Sequence, residues 1–191
     1  MSLIVQKYGG TSVADAERTC RVAARIASTQ DAGHQVVVVV SAMDKTTNRL
    51  IELAHQVSET PEPREMDVLL STGETVSCTL MAMALRNIGH EAISLSGQQA
   101  GIRTDMTYGR ARIANFDPKR IRKELGAGKV VIVAGFQGVT DDMDITTLGR
   151  GGSDTTAVAL AAGLGAERCE IYTDVEGIYT ADPKVVTEAQ K

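Results

Sequence analysis

Residues Val36 to Val40 are five consecutive valines. A strand with one wet face alternates apolar and polar residues, because successive side chains point to opposite sides. An unbroken β-branched run does not alternate, and it fits a strand buried on both faces. That in turn calls for a parallel sheet with helices packed on either side. Leu3-Ile4-Val5, Glu91 to Leu95, Val130 to Ala134 and Cys169-Glu170-Ile171-Tyr172 read as further strands. With no Trp, two Phe and four Tyr, small aliphatic side chains must fill the core. The expected class is α/β, a three-layer sandwich with a mainly parallel sheet between helices.

Helical patterns separate these runs. Ser12, with Asp15 three residues on, is expected to cap a helix running to about Ser28, with Ala16, Cys20, Ala23, Ala24 and Ala27 facing inward. A second helix is expected from about Thr47 to Val57. Two more should flank a break at Ser71-Thr72-Gly73-Glu74, the later one, Thr75 to Ile88, deeply buried and ended by Gly89. Gly97 to Phe116 reads as an irregular lobe with short β pieces. Asp117-Pro118 opens a helix with Pro at its first position. Acidic Thr140 to Thr147 reads as an edge hairpin, and Asp154 to Leu164 as an Ala-rich helix.

Composition excludes several functions. At 191 residues, 43% hydrophobic and 23% charged, the chain suits one sizeable domain. A formal charge of −4 argues against a nucleic-acid partner. Cys20, Cys78 and Cys169 show no zinc-ligand spacing and read as buried free thiols of a reducing compartment. No signal peptide and no apolar run of membrane-spanning length is evident, so a cytoplasmic protein without a membrane partner is expected.

Three glycine-bearing turns follow strand ends. Lys7-Tyr8-Gly9-Gly10-Thr11-Ser12 offers backbone N–H donors, a helix start and one cation, as a phosphate cradle needs. It is not a Walker A loop, and taken alone it is better explained as a tight strand-to-helix turn with a capped helix and a solvated Lys. In Gly149-Arg150-Gly151-Gly152-Ser153-Asp154, Arg150 can grip a carboxylate in bidentate fashion, and Ser153 or Asp154 can cap the following helix. Its glycine spacing does not match the dinucleotide fingerprint. Thr173-Asp174-Val175-Glu176-Gly177-Ile178-Tyr179 follows the last strand, where α/β sheets bind ligands. Asp141, Asp142 and Asp144 lack calcium-loop spacing, and no metal ligands are expected. His34, His55 and His90 have no evident catalytic partner.

Taken in order, these segments resemble one family. Val5-Gln6-Lys7-Tyr8-Gly9-Gly10-Thr11-Ser12-Val13, Val40-Ser41-Ala42-Met43 with Thr46-Thr47-Asn48, Ser71-Thr72-Gly73-Glu74, Gly135-Phe136-Gln137-Gly138, Thr147 to Thr156 and Thr173 to Pro183 are similar to the motifs of aspartate kinases. The resemblance implies the amino-acid kinase (carbamate kinase-like) fold. It also implies phosphoryl transfer from MgATP to the side-chain carboxylate of L-aspartate, the first step toward lysine, threonine, methionine and diaminopimelate. Carried over position by position, Lys7 should neutralise the transferring phosphoryl group, with Tyr8 beside it and Gly9 and Gly10 as donors. Ser41, Thr47, Gly151, Gly152 and Ser153 should line the acceptor site. Glu74 should hold the substrate ammonium and Arg150 its α-carboxylate, and Asp154 should orient Lys7. Thr173, Asp174, Tyr179, Thr180, Ala181, Asp182, Pro183 and Lys184 should surround ATP, with Mg²⁺ held mainly through its phosphates. A homo-oligomer is expected of the full-length protein.

Relative to that family, Glu176 stands where Asp is common, and the kinase domain is expected to continue past Lys191, with regulatory ACT domains beyond. Residues 1–191 are thus expected to be a C-terminally incomplete catalytic domain, with little activity alone. Acetylglutamate or glutamate 5-kinase is a weaker reading within the fold. A non-catalytic aspartate-binding module is the alternative from another class. A nicotinamide oxidoreductase fails on glycine spacing.

Overall fold

In the computed structural model, which describes residues 2–173 and 180, the valines form the middle of a parallel sheet. The chain runs β1 (Leu3–Tyr8), a 3-10 turn (Gly10–Val13), α1 (Ala16–Asp31), β2 (Gln35–Val40), α2 (Thr46–Val57), α3 (Pro63–Asn87), β3 (Ala92–Leu95), β4 (Ile102–Thr104), β5 (Ile113–Phe116), α4 (Lys119–Gly126), β6 (Val130–Ala134), β7 (Gln137–Val139), β8 (Ile145–Thr147), α5 (Gly152–Leu164) and β9 (Arg168–Tyr172). Five strands pair in the order β3-β6-β2-β1-β9, every pair parallel. The sheet divides the valines as strand geometry requires. Val36, Val38 and Val40 pack with Ala23, Ile26, Met81 and Leu85 of α1 and α3. Val37 and Val39 pack with Ile121 and Leu125 of α4 and Ala157 and Leu160 of α5 on the other face. The expected three-layer sandwich is therefore present. Beside it lies a second sheet, in the order β5-β4-β7-β8, which gives the lobe after Gly97 more order than its sequence pattern suggested.

Several local expectations are corrected. Asp15, not Ser12, caps α1: its carboxylate accepts from the Arg18 N–H at 2.8 Å, because a 3-10 turn intervenes first. That shift rotates the helix, so Thr19, Ala23, Ile26 and Ala27 face inward, and Ala16, Cys20 and Ala24 are exposed. Of the three thiols only Cys78 is buried; Cys169 is half-buried. Burial pushes the Cys78 thiol up to about 12. Pro118 stands at the N-cap of α4 rather than inside it. Gly151 occupies the N-cap of α5 with φ +75°, and neither Ser153 nor Asp154 caps that helix.

The largest correction concerns α3. Gly73 does not break it; Pro63–Asn87 is one helix of 25 residues. By length and hydropathy α3 could cross a membrane, a property that the expectation of no membrane-length run overlooked because Asp67 and Glu74 interrupt every apolar run. Half of its most apolar window is buried against the rest of the protein, as in a core helix. After Thr75 the expected deep burial holds for one face, with Cys78, Met81 and Leu85 at 2% exposure or less, whereas the outer face is open, with Val76 52% and Met83 60% exposed. Gly73 serves close approach: a Cβ there would lie 2.9 Å from the Ala42 Cβ, just beyond the end of β2. Gly73→Ala is expected to lower stability by about 1–3 kcal/mol by overpacking, despite a helix-propensity gain near 1 kcal/mol. Urea unfolding reads this, and an unchanged or raised midpoint would show that the contact can relax.

Candidate active site

The carboxyl ends of β1, β2 and β6 lie along one edge of the sheet, the edge where open α/β sheets bind ligands. Lys7 sits in β1, in register with Val39 of β2 on one side and Ile171 of β9 on the other. Its side chain is nearly buried on the α5 side, with Nζ 2.7 Å from Asp154 Oδ1 in the first turn of α5. An acid there also gains from the positive end of the helix dipole. The Lys7–Asp154 pair thus joins the central strand to the helix that follows the Arg150 turn.

After β1 the chain runs tight against the segment that leaves β2. A Cβ on Gly10 would stand 2.5 Å from the Ala42 carbonyl oxygen, and Asp44 N–H donates to the Gly10 carbonyl at 3.1 Å. Only glycine allows that approach. Glu74 enters from α3, 4% exposed. Its Oε1 accepts from the Ala42 N–H at 3.1 Å, and its Oε2 is buried with no partner among the described residues. Burial pushes its carboxyl up to about 7, partly opposed by the Ala42 N–H bond. Ser77 fixes the same place, donating from Oγ to the Ser41 carbonyl at 2.7 Å.

Lys7, Gly10, Ser41, Thr47, Glu74, Arg150, Gly151, Gly152, Ser153 and Asp154 line one cleft of about 320 Å³. These residues come from distant parts of the sequence, and the fold brings them together. Gly9 lies alongside; a Cβ on it would sit 3.7 Å from Lys7 Nζ. Arg150 is exposed at the rim and makes no ion pair among the described residues. Tyr8 is elsewhere, because neighbours on a strand point to opposite faces. Its ring is buried on the α1 side, stacked on Tyr172 at 4.8 Å. Tyr8 and Thr173 share a different pocket with Arg18, Arg21 and Arg25. Thr180 is exposed, and Asp174, Tyr179, Ala181, Asp182, Pro183 and Lys184 lie outside the described residues.

Of the other cleft residues, Ala42, Phe136 and Gly149 stood within the motifs of the sequence but were given no role, and Asp44 was not singled out. Ala42 contributes its backbone N–H, which side-chain chemistry does not reveal. Phe136 adopts φ +68°, a left-handed conformation rare for a bulky residue, and Asp44 adopts φ 42°. Phe136 is held there by its N–H bond to Thr156 Oγ1 at 3.1 Å and by the Leu148 N–H on its carbonyl at 2.8 Å. A bulky residue between Gly135 and Gln137-Gly138 was the available hint.

The model of the amino acid kinase family matches residues 2–191. The chain belongs to this family. Among curated members, an aspartokinase of Mycolicibacterium smegmatis is 60% identical over the whole chain, which spans 45% of that relative's length. Among solved structures, aspartate kinase from Synechocystis has a TM-score of 0.83 at 53% identity, covering 99% of this chain and 31% of that one. E. coli aspartokinase III in complex with aspartate and ADP has a TM-score of 0.84 at 32% identity, covering 99% and 53% respectively. This chain therefore spans about half or less of the family members it matches, and it carries their amino acid kinase fold.

The raised Glu74 carboxyl has a stability consequence. The folded form holds its proton up to about pH 7, whereas an unfolded glutamate releases it near 4.5. Between those values the native state binds more protons, so this group's contribution falls as pH rises and levels off above 7. The full difference is worth about 3 kcal/mol. Glu74→Gln is expected to raise stability at pH 8 by about 1–3 kcal/mol and to flatten the decline between pH 5 and 7. Thermal melts across pH check this; parallel profiles for the two proteins would contradict a protonated, buried Glu74.

Proposed function

We propose that this chain is the acceptor-binding part of an aspartate kinase, which transfers the γ-phosphoryl group of ATP to the side-chain carboxylate of L-aspartate. The observation that carries the reading is the cleft's charge layout. It holds a paired lysine at the sheet edge and, among the described residues, a buried carboxylate oxygen without a partner and an arginine without an ion pair at the rim. An amino acid with a second carboxylate has three groups to match these three features. The aspartokinases at 58–60% identity, and the aspartate and ADP bound to the E. coli relative, support it.

In this reading the α-ammonium meets Glu74 Oε2, which supplies the missing partner and favours the ionised acid. Arg150 takes the α-carboxylate, and Ser41, Thr47, Ser153 and the Gly151-Gly152 backbone surround the rest. The side-chain carboxylate then faces Lys7. A carboxylate is already a nucleophile, so no general base is required. The obstacle is repulsion between two anions, which Lys7 relieves and the Gly9-Gly10 N–H groups assist. Asp154 holds Lys7 in place through the 2.7 Å ion pair. Three carboxylates line the cleft: in this reading Glu74 takes the ammonium and Asp154 holds Lys7, which leaves Asp44, and no cluster of metal ligands is present among the described residues. Mg²⁺ would belong with the ATP phosphates, where it would offset their charge. Glutamate, one methylene longer, overreaches the span from Arg150 to Lys7, a difference worth about 1–3 kcal/mol. The reading extends to a cytoplasmic homo-oligomer for the complete protein.

Calorimetric titration with L-aspartate, L-glutamate as control, tests this directly. Selective aspartate binding is expected, and Arg150→Ala should weaken it by about 10–100-fold, the worth of a charged hydrogen bond. Below pH 7 each binding event should release close to one proton from Glu74, and above pH 8 almost none. Lys7→Ala in the complete protein should reduce turnover far more than aspartate affinity. Equal affinity for the two acids, or an unaffected Arg150→Ala, would sink the acceptor assignment.

A further inference from the structure

The acceptor reading leaves two buried acids unused: Glu124, which is paired with Arg120 and Lys129, and Asp67. Asp67 lies on α3 seven residues before Glu74, so the two carboxylates point from the same face of one helix, two turns apart. Asp67 is completely buried. A carboxylate there is costly unless it is well hydrogen-bonded. No cation pairs with it among the described residues, and all of its recorded bonds go to two backbone segments. Oδ1 accepts from Thr147 Oγ1 at 2.6 Å and from the Gly109 N–H at 3.0 Å. Oδ2 accepts from the Thr147 N–H at 2.9 Å and again from the Gly109 N–H, at 2.9 Å.

Both segments support the Arg150 turn. Thr147 stands three residues before Arg150 at the end of β8. Its carbonyl accepts from the Ala111 N–H at 2.8 Å, which ties it to the Gly109 segment. Gly149 packs on that segment too: a Cβ on it would lie 3.3 Å from the Gly109 carbonyl oxygen. The turn's own anchors are backbone bonds at its two ends, Leu148 N–H to the Phe136 carbonyl at 2.8 Å and Gly152 N–H to the Gly149 carbonyl at 3.0 Å, while Arg150 is exposed.

We infer that Asp67 is a positioning residue for the Arg150 turn, so that α3 sets both ends of the acceptor site. Glu74 acts at one end directly, and Asp67 acts at the other by fixing the strand end and loop from which Arg150 projects. The spacing between the ammonium and carboxylate partners is thereby tied to two turns of a single rigid helix. The link to substrate rests on the acceptor reading above; the link between Asp67 and the turn does not.

Asp67→Asn keeps the shape and removes one acceptor. In the ligand-free variant, amide exchange at Leu148 and Gly152, whose N–H groups are held by the Phe136 and Gly149 carbonyls, should quicken by about tenfold or more, with Val36 to Val40 unchanged. L-Aspartate affinity should fall by about tenfold. In an Arg150→Ala background the same substitution should cost almost nothing further, because the two residues act through one contact. A merely structural role would give additive losses instead. Thr147→Val removes only the Oγ1 bond, should show the same pattern at smaller size, and provides the answer if Asp67→Asn does not fold. Unchanged exchange in a folded variant, or additive affinity losses, would overturn the inference. An unmodified chain that ignores L-aspartate, yet shows the local exchange response on substitution, would discard the acceptor reading and keep Asp67 as the anchor of the turn.

Discussion

Burial of β1 and β2 on both faces is the constraint on which the other features depend. A strand covered on both sides has parallel neighbours, and parallel neighbours end at the same edge. Tyr8, Val40 and Ala134 therefore finish together, and the segments that follow them supply Gly9-Gly10, Ser41-Ala42 and Gly135-Phe136. Lys7 is the one basic residue in those central strands, and it is tolerated because Asp154 meets it at 2.7 Å. The chemistry is thus placed by the packing of valines that never touch a ligand.

The cleft stores unfavourable terms that the rest of the fold offsets. Phe136 and Asp44 hold left-handed backbone conformations, each costing roughly 1–3 kcal/mol. Glu74 keeps an oxygen buried without a partner among the described residues. Each of these lies beside the cleft, whereas a third left-handed non-glycine residue, Met143 at φ 70°, lies in the turn between β7 and β8. Strain and desolvation at the cleft fit a surface shaped to receive something charged.

Much of this was readable from residue order. The valine run implied the sheet, and the glycine turns with Lys7 and Arg150 implied where charge would collect. What failed did so for definite reasons. Gly73 looked like a helix breaker because local propensity penalises it, whereas its neighbour across space, Ala42, demanded it. The α1 face was misjudged because a short 3-10 turn moved the cap from Ser12 to Asp15 and rotated the helix. Tyr8 was grouped with Lys7 as an adjacent residue, although strand alternation sends it to the opposite face. Asp67 sat unnoticed between Met66 and Val68, since its partners, Gly109 and Thr147, are some 40 and 80 residues away.

The pairing of β1 has a consequence for the order of assembly. Ile4 meets Val36 on one side but Arg168 on the other, and Lys7 meets Asp154. During synthesis, at roughly 5–20 residues per second, one edge of β1 therefore waits on the order of ten seconds for β9. Through that interval Ile4 and Val5 border an open strand edge, the kind of surface that recruits foreign strands. The ion pair at the cleft does not wait for that edge, because Asp154 on α5 precedes β9 in the chain. A nascent chain thus gains the charged contact of its cleft before it loses its adhesive edge, which disappears only with the arrival of one late strand.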